Sequence, residues 1–298
     1  MSYIYGTMAS AAGVPKGIAT RLVEAPTSDF VYSSLSFMRD RFPHGIPGTW
    51  FVDALGEIGV DARAVRQTLL RMTKTGVLRA MRTGRTNIYA PMPATWSILD
   101  AGRARVSEAV TDEWDEQWTI VHLRFEDGDR EARDRLRDVM LVHGFGRLRS
   151  GVYLHPRDRV ELVLDAATSL DSTRSVSVFR GHRCGPPADV ELTRELWDVA
   201  ALATRYRSFI QRFTPIARAS ARHWTDRQAF ALRFAYMFEL FRITWDDPSL
   251  PARFLPDDWP APDARELAEK LRGQLRPGAL AFANEIAARK PVPRTRSS

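Results

Sequence analysis

The side chains best suited to chemistry in this sequence are the arginines and lysines between Arg63 and Arg105. That stretch holds nine basic residues and a single acid, Asp100, whereas the rest of the chain mixes its charges. Arginine donates paired hydrogen bonds to guanine or phosphate, and glutamine pairs in the same way with adenine. These residue types predict contact with DNA rather than catalysis. The expected DNA-binding residues are Arg63, Arg66, Gln67, Arg71, Lys74, Arg79, Arg82 and Arg85.

A helix followed by a hairpin must position these residues. In DARAVRQTLLRMTKTG, Val65, Leu69 and Met72 recur at helical spacing, which leaves the basic side chains on the other side. The next stretch, VLRAMRTGRTNIYA, has two short β-prone runs around Gly84, a residue that readily takes the positive φ of a tight turn. Two helix-like stretches precede the basic helix. This is the order of a winged helix-turn-helix, whose basic helix enters the major groove while its wing follows the phosphates.

Position along these elements divides the expected roles. The helix residues Arg63, Arg66, Gln67 and Arg71 can reach base edges. The plainer interpretation of the positive charge is an ordinary solvated helix face. Positive residues nevertheless continue from the helix into the wing with no acid between them, which favours contact with DNA. The residues expected to contact phosphates are Lys74, Arg79, Arg82 and Arg85.

The composition fits a polyanionic partner and a reducing compartment. The chain has 298 residues, 44% of them hydrophobic, and a net charge of +7. Its one cysteine, Cys184, allows no intrachain disulfide. The sequence contains neither a signal peptide nor an apolar run long enough to cross a membrane. We therefore expect a cytoplasmic protein with no membrane partner.

No group of residues in the sequence has the spacing of a catalytic or metal site. The six histidines do not fall at ligand spacings, and the motifs of zinc proteases, P-loops and serine hydrolases are absent from the sequence. We expect no catalytic residue, no bound metal, no cofactor and no enzyme activity.

Changes of pattern along the chain predict six segments in a mixed α+β protein. Residues 1–28 are expected to be a flexible leader, residues 29–94 a winged helix-turn-helix DNA-binding domain, and residues 95–116 a connector helix with a linker. Residues 117–187 follow the order β-α-β-β-α-β of a ferredoxin-like domain. Residues 188–290 have the pattern of an α-helical domain, and residues 291–298 that of a disordered tail.

Four stretches together resemble the PaaX family of transcriptional repressors, named for control of phenylacetate catabolism. They are GVDARAVRQTLLRMTKTGVLRAMRTGRTNIYAP, DEWDEQWTIVHL, GFGRLRSGVYLHPRD and ELFRITWDDPSLPARFLPDDWPAPDAREL. The last is the most specific, because its paired Leu-Pro and Asp-Trp positions follow a ferredoxin-like unit. The resemblance implies that residues 117–187 are Cas2-like and that residues 188–290 form a PaaX-like C-terminal domain.

The resemblance also implies a function. We expect a homodimeric repressor of an aromatic-compound catabolic operon, bound to double-stranded operator DNA. An aromatic effector, an aryl-CoA thioester such as phenylacetyl-CoA or a related metabolite, would release it. The C-terminal helices are rich in aromatic residues and arginines that suit such a ligand. The expected effector-binding residues are Arg205, Tyr206, Arg233, Arg242 and Trp245.

Two alternatives stay open at this point. The first is a Cas2-like metal-dependent nuclease, a chemistry that needs an aspartate at the end of the first strand. Arg124 falls near that position, and Glu126 and Asp127 come later, which disfavours the nuclease. The second is an architectural DNA-binding protein that responds to no effector.

Overall fold

The chain folds as a mixed α+β protein, as the sequence predicts. The computed structural model describes residues 14–15, 18, 22, 25–84, 86–107, 114–125, 129–186, 188–220 and 223–289. Contacts divide the chain into two compact units. Unit 1 comprises residues 1–106, 208–241 and 263–298, and unit 2 comprises residues 107–207 and 242–262. Each unit is therefore discontinuous in sequence.

Among the described residues from 25 to 107, unit 1 contains four helices and a three-stranded antiparallel sheet. The strands lie in the order β1-β3-β2, with Ile46 opposite Tyr89 and Arg82 opposite Asn87. The elements are α1 (Thr27–Phe37), β1 (Ile46–Pro47), α2 (Gly48–Glu57), α3 (Ala62–Lys74), β2 (Leu78–Thr83), β3 (Thr86–Pro91) and α4 (Pro93–Ser107).

Local interactions define the start and the buried side of α3. The Asp61 carboxylate accepts hydrogen bonds from the backbone N–H groups of Arg63 and Ala64, at 2.8 and 3.0 Å, which satisfies two donors that the first turn leaves open. Val65 and Leu69 are buried, at 0% and 1% exposure. The helical spacing predicted from the sequence is thereby confirmed.

The C-terminal helices complete the core of unit 1. Trp50 on α2 donates a hydrogen bond from Nε1 to the carbonyl of Ala283 at 3.1 Å. Glu57, at the end of α2, accepts hydrogen bonds from Arg227 at 2.8 Å and Arg289 at 3.0 Å. Phe30 on α1 lies with its ring centroid 6.1 Å from that of Phe234. The helix-turn-helix thus shares its apolar core with residues more than a hundred positions away in sequence.

In the described residues after the ferredoxin-like segment, the chain forms four further α-helices. They are α7 (Asp189–Leu196), α8 (Val199–Arg218), α9 (Asp226–Asp246) and α10 (Ala261–Ala288). No helix in the described part of the chain is long and apolar enough to span a membrane.

Unit 2 is built on a four-stranded antiparallel sheet in the order β5-β6-β4-β7. Val121, Leu136, Met140, Phe145 and Val163 form its buried core. The order β-α-β-β-α-β is that of a ferredoxin-like fold, which confirms the sequence prediction. The elements are β4 (Trp118–Leu123), α5 (Arg130–Val142), β5 (Gly146–Arg149), β6 (Val152–His155), α6 (Val160–Ser169) and β7 (Val176–Gly181).

An aromatic cluster joins the later part of unit 2 to this sheet. Trp118, fully buried, stacks on Trp197 with ring centroids 6.5 Å apart and on Phe254 at 5.8 Å. Trp197 donates from Nε1 to the Gly144 carbonyl at 3.0 Å. A Cβ at Gly146 would lie 2.8 Å from Trp197, so only glycine permits this close approach.

The two terminal segments are mostly outside the described residues. Residues 291–298, expected to be a disordered tail, lie entirely outside them. Within the expected leader, residues 1–28, Ile18 and Leu22 are buried at 2% and 4% exposure. These two side chains therefore contribute to the apolar core.

Candidate nucleic-acid interface and ligand pocket

The solvent side of α3 carries four cations and one glutamine, a surface that we call the cationic face. It consists of Arg63, Arg66, Gln67, Arg71 and Lys74, all exposed. Because Val65, Leu69 and Met72 anchor the opposite side, these five side chains project together. None of the four charged residues forms an ion pair with a described carboxylate. Their charge is therefore not neutralised within the described part of the protein, and it can serve an external anion.

Leu70 is a residue of this surface that sequence reasoning missed. Its side chain is 55% exposed, although its neighbour Leu69 is buried. On a helix, positions 63, 66, 70 and 74 lie on one side, so Leu70 falls between Arg66 and Lys74. An exposed apolar side chain among cations suits contact with a thymine methyl group. The sequence did contain an indication of this exposure, because Leu70 lies one position away from the buried positions Val65, Leu69 and Met72.

The wing places its two described arginines on opposite sides. Arg79 pairs with Ala90 and Arg82 with Asn87 along the β2–β3 ladder. Since side chains alternate between the faces of a strand, residues three positions apart face opposite ways. Arg82 also donates to the Gly84 carbonyl at 3.4 Å, near the tip of the wing. Arg85 lies outside the described residues.

Arg71 lies beside α1 as well as on the cationic face. Burial raises the pKa of Tyr32 on α1, and the Asp29 carboxylate raises it further. The Arg71 guanidinium lowers the same pKa, which shows that Arg71 lies near Tyr32. Arg71 is therefore at the edge of the cationic face that adjoins α1.

A cavity of about 240 Å³ lies within unit 2, between the start of α8 and the residues that follow α9. Two tryptophans and several aliphatic side chains supply its apolar wall. Its lining residues are Trp197, Asp198, Val199, Ala201, Leu202, Arg205, Asp246, Asp247, Pro248, Leu250, Leu255 and Trp259.

The charged groups of this cavity are mostly carboxylates. Arg205 donates to Asp246 at 2.7 Å and to the Arg242 carbonyl at 2.9 Å. Asp247 is buried and accepts from the Tyr206 hydroxyl at 2.7 Å and from the Ser249 N–H at 2.8 Å. Three aspartates thus line the cavity beside a single guanidinium that is already paired. This arrangement favours an uncharged aromatic group over a carboxylate or phosphate inside the cavity.

The structure brings only part of the expected effector set to the cavity. Arg205 lines it, but the Tyr206 ring is fully buried against Trp259, with centroids 5.7 Å apart. Arg242 is exposed and Trp245 is half-buried, and neither lines the cavity. Arg233 belongs to unit 1, whereas the other four belong to unit 2. Sequence reasoning missed Trp197 and Trp259, because their approach depends on tertiary packing.

The end of β4, near the position where nuclease chemistry would need an aspartate, carries a cation. Arg124, just after β4, is exposed, and its N–H donates to the Ser175 carbonyl at 2.9 Å. Glu126 and Asp127 lie outside the described residues. Among the described residues, no group of three or more His, Cys, Asp or Glu side chains is placed to hold a metal ion.

Comparison with solved structures identifies a similar fold. The chain resembles a structure titled "Uncharacterized protein Rv0674 from Mycobacterium tuberculosis", with a TM-score of 0.52 and 21% sequence identity. The match covers 84% of this chain and 96% of the other. At this identity the likeness concerns the fold alone. A comparison with curated proteins finds no match.

Three family profiles match the chain in consecutive segments. A profile described as PaaX-like protein matches residues 44–90, which include the helix-turn-helix and the wing. The PaaX protein central Cas2-like domain matches residues 111–193, and the PaaX-like protein C-terminal domain matches residues 197–285. Together these matches cover most of the chain, in the order expected for the family. The chain therefore belongs to the PaaX-like family, whose members are known as transcriptional regulators.

Proposed function

We propose that this protein represses an aromatic-compound catabolic operon by binding double-stranded operator DNA as a homodimer. Residues 29–94 would form the DNA-binding domain, residues 95–116 the connector, and residues 117–187 and 188–290 the domains for dimerisation and effector sensing. A dimer is expected because one recognition helix makes too small a contact surface for tight specific binding. Binding of an aromatic effector would favour a state whose two DNA-binding domains no longer fit both half-sites.

The cationic face is the observation that carries the DNA-binding proposal. Its side chains are exposed, they project from one side of a capped helix, and no described carboxylate neutralises them. We assign Arg63, Arg66 and Gln67 to base edges, because they lie in the first turns of α3 and the N-terminal residues of a recognition helix contact the bases. The residues that we assign to phosphates are Lys74, Arg79, Arg82 and Arg85, with Arg71 at the boundary between the two roles.

A pair of substitutions tests this assignment. Arg66→Ala should weaken binding to the operator by ~1–3 kcal/mol and relax the base preference. Arg82→Ala should weaken binding to all duplexes alike and reduce the salt slope by about one unit for each protomer bound. Arg194, exposed on α7 in unit 2, provides the control, because Arg194→Ala removes one charge without touching the wing or α3.

Fluorescence anisotropy on operator and scrambled duplexes, at several salt concentrations, measures all three variants. The operator would come from footprinting of the DNA upstream of the regulated operon. Equal losses for Arg66→Ala and Arg82→Ala on both duplexes would contradict the division of roles. Wild-type binding that is no tighter to the operator than to the scrambled duplex would contradict a repressor altogether.

The cavity of unit 2 is the place we propose for the aromatic ring of the effector. Its volume, about 240 Å³, exceeds the ~150 Å³ of an engineered apolar cavity that binds benzene. The lining aspartates favour an uncharged ring within it. An aryl-CoA would therefore hold its aryl group in the cavity and its charged nucleotide outside.

Filling the cavity tests this site without disturbing the core. Ala201 is exposed and lines the cavity, so Ala201→Trp should block the ligand, whereas Ala201→Ser should not. Release of the full chain from its operator would be measured with phenylacetyl-CoA, phenylacetate and benzyl alcohol, and with free CoA as the negative control. Release that survives Ala201→Trp would place the ligand elsewhere. No release by any aromatic compound would favour the architectural alternative.

A further inference from the structure

Arg233 on α9 is a buried cation without a carboxylate among the described residues. Its side chain is 9% exposed. The guanidinium carbon lies 3.6 Å above the centre of the Phe37 ring, and Nη1 is 3.4 Å from the Ser33 hydroxyl. A guanidinium carries five N–H donors. Contact with an aromatic ring and one long hydrogen bond leave most of this donor capacity unused.

The charged groups around Arg233 are also cations. Burial is the main cause that lowers the pKa of Arg233 to about 10, and Arg276 and Arg103 lower it further. The Tyr236 hydroxyl opposes this, but burial raises the pKa of Tyr236 itself, so the phenol stays neutral. Arg103 on α4 and Arg276 on α10 are thus close enough to Arg233 for their charges to act on it. Arg103 also donates to the Ser36 carbonyl at 3.4 Å, three residues along α1 from Ser33. All three arginines belong to unit 1.

Two other arginines of unit 1, both more exposed than Arg233, have carboxylate partners. Arg212 on α8 forms an ion pair with Glu239, and Arg227 on α9 pairs with Glu57 at 2.8 Å. Since an uncompensated buried charge is strongly unfavourable, buried cations usually occur with an anion. The cluster around Arg233 departs from this pattern. An anion from outside the described chain would restore it.

We propose that Arg233, Arg103 and Arg276 form a binding site for a phosphate group, either inorganic phosphate or the phosphoryl group of a small molecule. Planar guanidinium groups match phosphate oxygens through paired hydrogen bonds. Three cations suit a dianion better than the single charge of a carboxylate. This site is separate from the unit 2 cavity and does not depend on DNA binding.

Calorimetry on the full chain, without DNA, tests the site at constant ionic strength. Inorganic phosphate is the first probe, and acetate is the control for a single negative charge. Adenosine 5′-monophosphate, compared with adenosine, distinguishes an organic phosphoryl group from free phosphate. We expect wild-type protein to bind phosphate or the monophosphate, and to bind neither acetate nor adenosine.

Substitutions then locate the binding. Arg103 and Arg276 are exposed, so Arg103→Gln and Arg276→Gln should fold normally and each weaken phosphate binding about tenfold, the loss expected for one charge-assisted hydrogen bond. Arg233→Gln should abolish binding. The matched control is Arg227→Gln on the same helix, which should leave phosphate binding unchanged because Arg227 is paired with Glu57.

Three outcomes would overturn the proposal. The first is no binding of either phosphate probe up to about 10 mM, a limit that corresponds to negligible affinity. The second is equal loss of affinity in Arg227→Gln and Arg276→Gln, which would indicate a general charge effect. The third combines two results: the wild type binds no phosphate, and Arg276→Gln has a smaller salt slope for operator binding than the wild type. Together they would make the cluster a DNA contact.

Discussion

His155 provides a sharp test of the packing of unit 2. It lies on β6 with no exposed surface, and its ring centroid is 5.2 Å from that of Phe145. Its Nδ1 accepts the N–H of Arg157 at 3.0 Å. Burial, followed by the charge of Arg159, lowers the pKa of His155 from 6.5 to about 3, and backbone groups of Arg157 and Pro248 oppose this only in part.

The shift predicts how stability depends on pH. In the folded protein His155 stays neutral, whereas in the unfolded chain it binds a proton below pH 6.5. Its contribution to the free energy of unfolding is therefore complete above pH 6.5 and is lost as the pH falls from 6.5 toward 3. The loss approaches ~1.4 kcal/mol per pH unit, which gives about 2 kcal/mol between pH 7 and pH 5.

Urea unfolding at these two pH values, followed by tryptophan fluorescence, measures the effect. His155→Asn keeps an acceptor for the Arg157 N–H but has no proton to bind, so it should lose this part of the pH dependence. His122, exposed on the neighbouring strand β4, provides the control. His122→Asn should retain the full dependence. If wild type and His155→Asn lose the same stability between pH 7 and pH 5, His155 is not buried in the neutral form.

Three further predictions follow from packing, surface and charge. Gly146→Val should lower the free energy of unfolding, measured by urea titration, by ~1–3 kcal/mol, because the added Cβ would lie 2.8 Å from Leu196 and Trp197. Gly181 has open space around it, so Gly181→Ala should leave the free energy of unfolding nearly unchanged. Leu70→Asn should alter the preferred operator sequence and lower the free energy of unfolding by less than ~1 kcal/mol, because the side chain is exposed. Selection of duplexes from a random pool would show an unchanged preference if Leu70 contacts no base. Incubation with single-stranded RNA or DNA and magnesium or manganese should give no cleavage, and metal-dependent cleavage would revive the nuclease alternative.

Local spacing in the sequence was enough to predict the basic helix α3 and the wing that follows it. The buried stripe of α3 and the wing turn at Gly84 depend on residues close together in the chain, and both occur in the structure. The β-α-β-β-α-β order was predictable for the same reason, since each element has its own periodicity. The family followed from motifs. The DNA-binding roles of individual arginines stay predictions.

Tertiary packing decided what local patterns do not encode. Arg205 and Arg233 looked equivalent in sequence, on two successive aromatic helices, but they belong to different compact units. The first lines a cavity rich in carboxylates, and the second lies among cations above Phe37. Likewise, Trp50 reaches the Ala283 carbonyl across more than two hundred positions of the chain. Periodicity shows that a side chain is buried, but its partner depends on how distant segments fold together. The sequence by itself therefore determined the elements and the family, and only the tertiary structure decided which cations have a carboxylate partner among the described residues.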